Sequence, residues 1–413
     1  MLRLMLMSVI GVLGTLVPLA SRADNAPVPP SEPVLEVHID ADYSIASHAA
    51  EAIESGLASA LSETGYEVAG TTLKLVRRDH RANVKRSRTH MEDFLNSTNA
   101  IAMVGGMHSP PYLTHRDFIN ENDVLFLLPW SAGGPITRGE SGGENWLFRL
   151  SVDDTKAGGY LISRAVDQAG CQAVSLILID TGWGRANYKT LTAALDKRRM
   201  RPASTHYFDV TIGQATAKRL AEDVRRSGAD CAVLLADWDN GAQVVNVLAD
   251  LDQPIRTFSH WGIMGGPFAQ HVTPDTRDRL DLEVLQTCGL AREKGGNAAL
   301  QLALSHAKGE PAELADVPAA AGFVHGYDLG RIFVAAVAQA AETPAWGGGI
   351  GQKRDAVRLS LESLEAEVEG ILGSYEKPFD AYDVSSPDAH EALGRSDLCM
   401  ARFAPEGHLI HAQ

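Results

Sequence analysis

Four of the six tryptophans, Trp130, Trp183, Trp238 and Trp261, fall one to four residues after short apolar runs. Rings at such positions, with a few polar groups among them, make the wall of a small-molecule site. Their faces also attract an organic cation. The polar complement lies in the same stretches. Ser109 and Ser131 stand in Gly-rich loops at helix starts, where a hydroxyl and backbone N–H groups can hold a carboxylate or another anion. Asp180, Asp237 and Asp239 can take an ammonium or a hydroxyl. Each residue type also has an ordinary use: rings pack beneath loops, serine caps helices and aspartate shapes turns.

Patterns for covalent or metal chemistry are missing. Gly139-Glu140-Ser141-Gly142-Gly143 has the lettering of a serine-protease nucleophile loop, but it stands in an α/β sequence without the early histidine that such chemistry needs. There is no HExxH, no phosphate-binding P-loop, no GxSxG elbow and no GxGxxG after the first strand. His390-Glu391 lacks a second histidine, and His108 and His260 lie far apart without an evident carboxylate partner. The expectation is a protein with no catalytic residues, no metal and no cofactor.

The apolar runs that end in these residues set the architecture. Ala100–Val104 and Val124–Leu128 lack polar alternation, the habit of strands buried on both faces, and Tyr112–Asn122 between them reads as a crossover helix. Ligands of open parallel sheets sit beyond the carboxyl ends of the strands. Upstream, Val34–Ile39 reads as a strand ending in Asp40-Ala41-Asp42-Tyr43, followed by helix Ile45–Glu63, strand Thr72–Val76 and helix Val84–Asn96. After Glu144–Val152 the alternation restarts. Helices are expected at Thr155–Ala169, Asn187–Arg198, Gln214–Arg226 and Ala242–Asp250. Strands are expected at Val174–Ile179, Cys231–Ala236 and Arg256–Ser259. Two tandem α/β lobes follow. Leu282–Cys288 reads as a strand returning between lobes, Ala298–Lys308, Phe323–Ala341 and Ala356–Leu364 as helices, and Tyr375–His411 as short strands and turns.

With 413 residues, 45% hydrophobic and 22% charged, the chain has globular composition. Its net charge of −15, with no broad basic patch, argues against nucleic acid. Met1-Leu2-Arg3, the apolar Leu4–Ala20 and Ser21-Arg22-Ala23 fit a secretory signal over residues 1–23, with an uncleaved anchor as the alternative. Ala26–Pro33 reads as a linker. No later segment has the length of a membrane span, so the mature chain is expected in the periplasm without stable membrane insertion. Four cysteines, Cys171, Cys231, Cys288 and Cys399, form no CxxC pair. Up to two disulfides can form, with three pairings open if all four cysteines join; Cys171–Cys231 is one candidate pair and buried free thiols the equal alternative.

The paired unit AMVGGMHSPP…DVLFLLPWSAGGPIT, then FRLSVDD and ILIDTGWGRANYKTL, resembles type I periplasmic binding proteins, nearest the leucine/isoleucine/valine-binding receptors of ABC transporters. The resemblance runs from about Val34 to Leu409. It implies two doubly wound parallel-sheet lobes joined by a multi-strand hinge, lobe one being 34–150 plus about 290–374 and lobe two 151–289 plus about 375–413. It implies a small-molecule ligand, with an ABC permease or a membrane sensor as partner. By this match Ser109 and the Trp130-Ser131-Ala132 loop receive a ligand carboxylate. Trp183 closes from lobe two, and Asp237-Trp238 and His260-Trp261 supply two further contact loops. His108, Tyr43 and Tyr327 complete the expected ligand-binding set. Trp stands where the family's tyrosine falls at 183, and no acid is present in the third lobe-two loop to neutralise an α-ammonium. An aromatic, cationic or otherwise unusual ligand is therefore expected in place of a plain aliphatic amino acid. A sensory subunit on the same fold is the alternative function, and an enzyme on this scaffold a third.

Overall fold

A computed structural model describes residues 34–139, 143–291 and 296–412. The expected signal segment and linker, and Ser141 of the Gly/Ser loop, lie outside the described residues.

The first sheet is built from β1 (Val34–Ala41), β2 (Glu67–Val68), β3 (Thr71–Asp79), β4 (Ala100–Gly105), β5 (Phe126–Leu128) and β6 (Leu147–Arg149), in the order β2-β3-β1-β4-β5-β6. All pairings are parallel except β2 with β3. Helices α1 (Ser47–Ser62), α2 (Val84–Asn96) and α3 (Pro110–Glu121) connect its strands. The chain then crosses to a second sheet through α4 (Asp154–Ile162). That sheet holds β7 (Val174–Ile179), β8 (Ser204–Phe208), β9 (Cys231–Leu235), β10 (Arg256–Ser259) and β11 (Glu283–Thr287), connected by α5 (Gly182–Asp196), α6 (Gln214–Arg226), α7 (Trp238–Ala249) and the short α8 (Phe268–His271) and α9 (Pro274–Arg279). After β11 come α10 (Ala298–His306), α11 (Ala320–Ala341), α12 (Ile350–Glu362) and a small hairpin, β12 (Val368–Glu369) with β13 (Ser374–Tyr375). The tail strands β14 (Leu398–Phe403) and β15 (Leu409–His411) return to the second sheet, whose order is β15-β14-β11-β10-β9-β7-β8. Both tail pairings are antiparallel. The architecture is the expected α/β pair of doubly wound sheets, each with an antiparallel edge.

The central strands β4, β7 and β9 are buried along their whole length, as parallel strands covered by helices on both faces must be. Helix α11 lies along α1 at very short range. A Cβ on Gly56 would sit 2.1 Å from the carbonyl oxygen of Phe323, so only glycine allows the two backbones this approach. Strand β8 was not expected from the sequence; it is an edge strand with partly exposed residues, and so lacks the continuous apolar run of its neighbours. Helix α1 begins at Ser47, leaving Ile45 exposed ahead of it, and α3 begins at Pro110, where a proline needs no partner for its nitrogen.

All four cysteines are paired, Cys171 with Cys231 and Cys288 with Cys399. The first bridge links the starts of β7 and β9. The second ties β11 to β14, so that the returning tail is bonded covalently to the sheet it completes.

Candidate functional site

The strand-end loops of the two sheets meet. From the first come Asp42 and Tyr43 after β1, Met107-His108-Ser109 after β4, and Trp130-Ser131-Ala132 after β5. From the second come Trp183 after β7, Asp237 and Trp238 after β9, and His260 to Gly266 after β10. Helix caps shape several of these turns. Thr181 caps α5, Asp153 caps α4 and Asp237 caps α7, each through a side-chain oxygen taking a backbone N–H of the first turn.

At the inner end the rings interlock. Trp130 and Trp261, each 1% exposed, pack with centroids 5.3 Å apart. The His325 ring lies edge-on to Trp261 at 5.2 Å, and its Nε2 meets Thr287 Oγ1 at 2.7 Å. Burial pushes His325 down to about 3, so the ring is neutral. The buried His260 holds Asp154 Oδ1 at 2.9 Å through Nε2 and meets Trp183 edge-on at 5.2 Å. Asp154 Oδ2 and His260 Nδ1 are buried without a hydrogen-bond partner.

The serines are engaged elsewhere. Ser131 Oγ donates to Gly106 O at 2.7 Å, and Ser109 Oγ accepts from Gly133 N–H at 3.0 Å. Both residues are buried; the Ser131 proton is committed to Gly106, while Ser109, which only accepts, keeps its O–H to donate. Ala132 is also buried, its carbonyl taking the N–H of Asp154 at 2.9 Å. These three residues fasten the loops to one another.

Toward the mouth the groups are more open. Trp238 is half-buried between the rings of His48, 6.2 Å away on α1, and His271, 5.1 Å away on α8. The Met107 thioether lies against Gly265 across the divide. His108 Nδ1 stands 3.5 Å from Asp42 Oδ2 and near enough to Asp237 to act on its ionisation. Burial, and Asp239 beside it, push the Asp237 carboxyl up to about 7 against the opposing hydrogen bond from Asn240. Tyr43 is half-buried with Arg77 over its ring at 4.9 Å, and burial raises its hydroxyl pKa. Asp180 is paired with Arg185 at 2.6 Å.

The structure does not bring Tyr327 to this group. Its ring is buried and its hydroxyl donates to Glu63, at the far end of α1 from His48. His325, two residues earlier and about 200° round the helix, is the α11 residue that meets the cleft. His48, Asp154, His271 and His325 were missed; of these only Asp154, the last residue of the crossover segment FRLSVDD, carried a sequence signal.

A separate cavity of about 400 Å³ lies between α8, α10 and the tail, lined by Phe268, Leu300, Leu304, Phe403 and Leu409 among others. Its walls mix apolar and polar surface, with Gln301, Glu313 and His408 among them, and none of the expected ligand-binding residues lines it.

Two α/β sheets whose strand-end loops face one another across a cleft define a bilobed receptor for a small solute. A family model described as periplasmic binding protein matches residues 39–271, and the chain belongs to that family. No curated protein matches it significantly. Among solved structures it resembles a solute-binding protein of an ABC transporter from Rhodopseudomonas palustris in complex with p-hydroxybenzoic acid, at 14% identity and TM-score 0.71, covering 92% of this chain and 96% of that one. It also resembles an ABC-transporter substrate-binding protein from Desulfitobacterium hafniense in complex with Leu, at 14% identity and TM-score 0.66, covering 92% and 100%. A leucine-binding protein from Thermotoga maritima aligns at 13% identity and TM-score 0.68, covering 92% and 98%. The family consists of small-molecule binders, not enzymes, and its setting is the periplasm. Among the described residues no helix is long and apolar enough to cross a membrane.

Proposed function

We propose that this protein is an exported receptor that captures one small organic molecule, aromatic, cationic or amino-acid-like, between two lobes and delivers it to an ABC-type membrane transporter. The lobes are 34–150 with about 290–374, and 151–289 with about 375–413, and they close by bending at the segments that cross between the sheets. Residues 1–23 act as the export signal. The observation that carries this reading is the meeting of rings from opposite loops, Trp130 on Trp261 and Trp238 on His48, with carboxylates and imidazoles between them. Tyr43, His108, Trp183, Asp237 and Trp238 would touch the solute. Ser109, Ser131, Ala132, Trp130, His260 and Trp261 would hold the floor in shape.

The test is mass spectrometry of small molecules released from freshly purified, denatured mature protein, with a Trp183→Ala/Trp238→Ala variant alongside. One compound near one per chain, absent from the variant, is the expected result. An empty wild-type protein whose tryptophan fluorescence stays flat against a metabolite panel would sink the reading.

A further inference from the structure

The mouth of the cleft gathers carboxylates from both sheets with no lysine or arginine paired to them among the described residues. Asp42 is 3% exposed; its Oδ1 accepts the N–H of Ile45 at 2.9 Å, while its Oδ2 accepts no hydrogen bond. Across the divide Asp237 Oδ1 takes Asn240 Nδ2 at 2.6 Å, and Asp239 lies beside it. Among the described residues no lysine or arginine nitrogen comes within 4.0 Å of the carboxylates of Asp42, Asp154, Asp237 or Asp239. The basic groups facing Asp42 are His108, whose Nδ1 is also without a hydrogen bond, and His80, fully buried with both ring nitrogens unpartnered. Burial pulls His80 toward its neutral form. One half-buried imidazole thus stands with the buried Asp42 and the half-buried Asp237, the exposed Asp239 lying beside the latter. Carboxylates withdrawn from water are costly unless a cation or a proton compensates them.

We propose that the solute is a compact organic cation with no carboxylate of its own, an amine or a quaternary ammonium, held between Asp42 of one lobe and Asp237 and Asp239 of the other with the Trp238 ring beside it. The proposal rests on the binding reading above and narrows it. Two independent features converge. Asp42 is a buried acid whose Oδ2 has no hydrogen bond and faces a single imidazole nitrogen, His108 Nδ1, at 3.5 Å. The half-buried Trp238 offers an aromatic surface of the kind that attracts a cation. Asp237 keeps its proton to about pH 7, so a bound cation releases that proton and gains affinity as pH rises. The groups that face Asp237 in this exchange are Asp239, Asn240 and His108.

The experiment uses matched probes with one carbon skeleton and opposite charge, benzylamine against benzoate and isopentylamine against leucine, with choline as the quaternary arm. Binding is read by tryptophan fluorescence and calorimetry at about pH 6 and about pH 8. The amine of each pair is expected to bind tighter, and more so at the higher pH. Asp237→Asn and Asp42→Asn should each weaken the amines at least about tenfold and leave benzoate unchanged. Asparagine still caps a helix and still accepts from Ile45 N–H, so both variants keep their local hydrogen bonds. Tighter binding of benzoate or leucine than of its partner overturns the proposal and leaves the receptor reading standing. So does amine affinity unmoved by both substitutions. Failure of every amine at millimolar concentration also overturns it, and only an empty protein whose fluorescence is also flat against the metabolite panel removes the receptor reading with it.

Discussion

Replacing Glu391 by alanine should destabilise the protein by about 3 kcal/mol and loosen the loop that carries Trp130. The guanidinium of Arg149, fully buried at the end of β6, donates to both Glu391 oxygens, Nε at 2.8 Å and Nη2 at 2.7 Å. Its Nη1 reaches the carbonyls of Gly133 at 2.9 Å and Ser131 at 3.4 Å. Asp153 adds a second carboxylate 3.0 Å from Nη2. Removing one partner of a buried pair costs about 3–5 kcal/mol because the other charge is stranded. Asp153 remains, which sets the loss at the lower end of that range. Urea unfolding measures it, and quenching of the wild-type tryptophan emission by iodide reports the loosened loop. Arg149→Met with Glu391→Leu together should recover most of the loss, since two apolar side chains strand no charge. A loss below about 1 kcal/mol for Glu391→Ala, or a double variant no better than the single, would refute the reasoning. Acid should act on the same knot. Burial pushes Asp153 up, but Arg149 and Arg138 outweigh it and hold the carboxyl well below its usual range. A depressed acid contributes stability present above its unfolded pKa and lost as pH falls, so this contribution should fade below about pH 4.

Three further outcomes follow from the same contacts. Asp237 has the opposite sign: an acid whose folded pKa is pushed up to about 7 stabilises least once ionised, so wild-type stability should fall between about pH 4 and about pH 7 relative to Asp237→Asn, as thermal melts across that range will register. Cys288→Ala with Cys399→Ala, opening a bridge between residues 111 apart in sequence, should cost about 4 kcal/mol in guanidinium melts, and dithiothreitol, which also reduces Cys171–Cys231, should cost the wild type more than that. Gly56→Ala should cost about 2 kcal/mol or more, because the new methyl meets the Phe323 carbonyl at 2.1 Å, whereas Gly351→Ala in α12, with open space around it, should be neutral or slightly stabilising.

The strands of both sheets were legible because a strand covered on two faces is an unbroken apolar run, as in Val174–Ile179. The rings at their ends were legible because the carboxyl end of a parallel strand is where such a sheet opens. The partner of each side chain was not, because it depends on distances between loops far apart in sequence. Ser131 and Ser109 could serve a ligand or a backbone group equally well until the approach of the Gly106 and Gly133 loops is known. Tyr327 and His325 stand on a helix with apolar residues nearly all round, so no polar face fixes its rotation. Close glycine contacts do, Gly322 against Trp130 and Gly326 against Ile53, and they turn His325 toward the cleft and Tyr327 toward Glu63. Arg149 meets a glutamate 242 residues away, a pairing that no local pattern encodes. The missing acid in the third lobe-two loop takes on a different sense once these distances are known. That loop carries His260, which turns to Asp154, and the carboxylates at the mouth, Asp42, Asp237 and Asp239, have no lysine or arginine paired to them among the described residues. On the proposed cation reading, Asp42 and Asp237 set the charge of the solute, while Ser109 keeps an O–H that an anion could use.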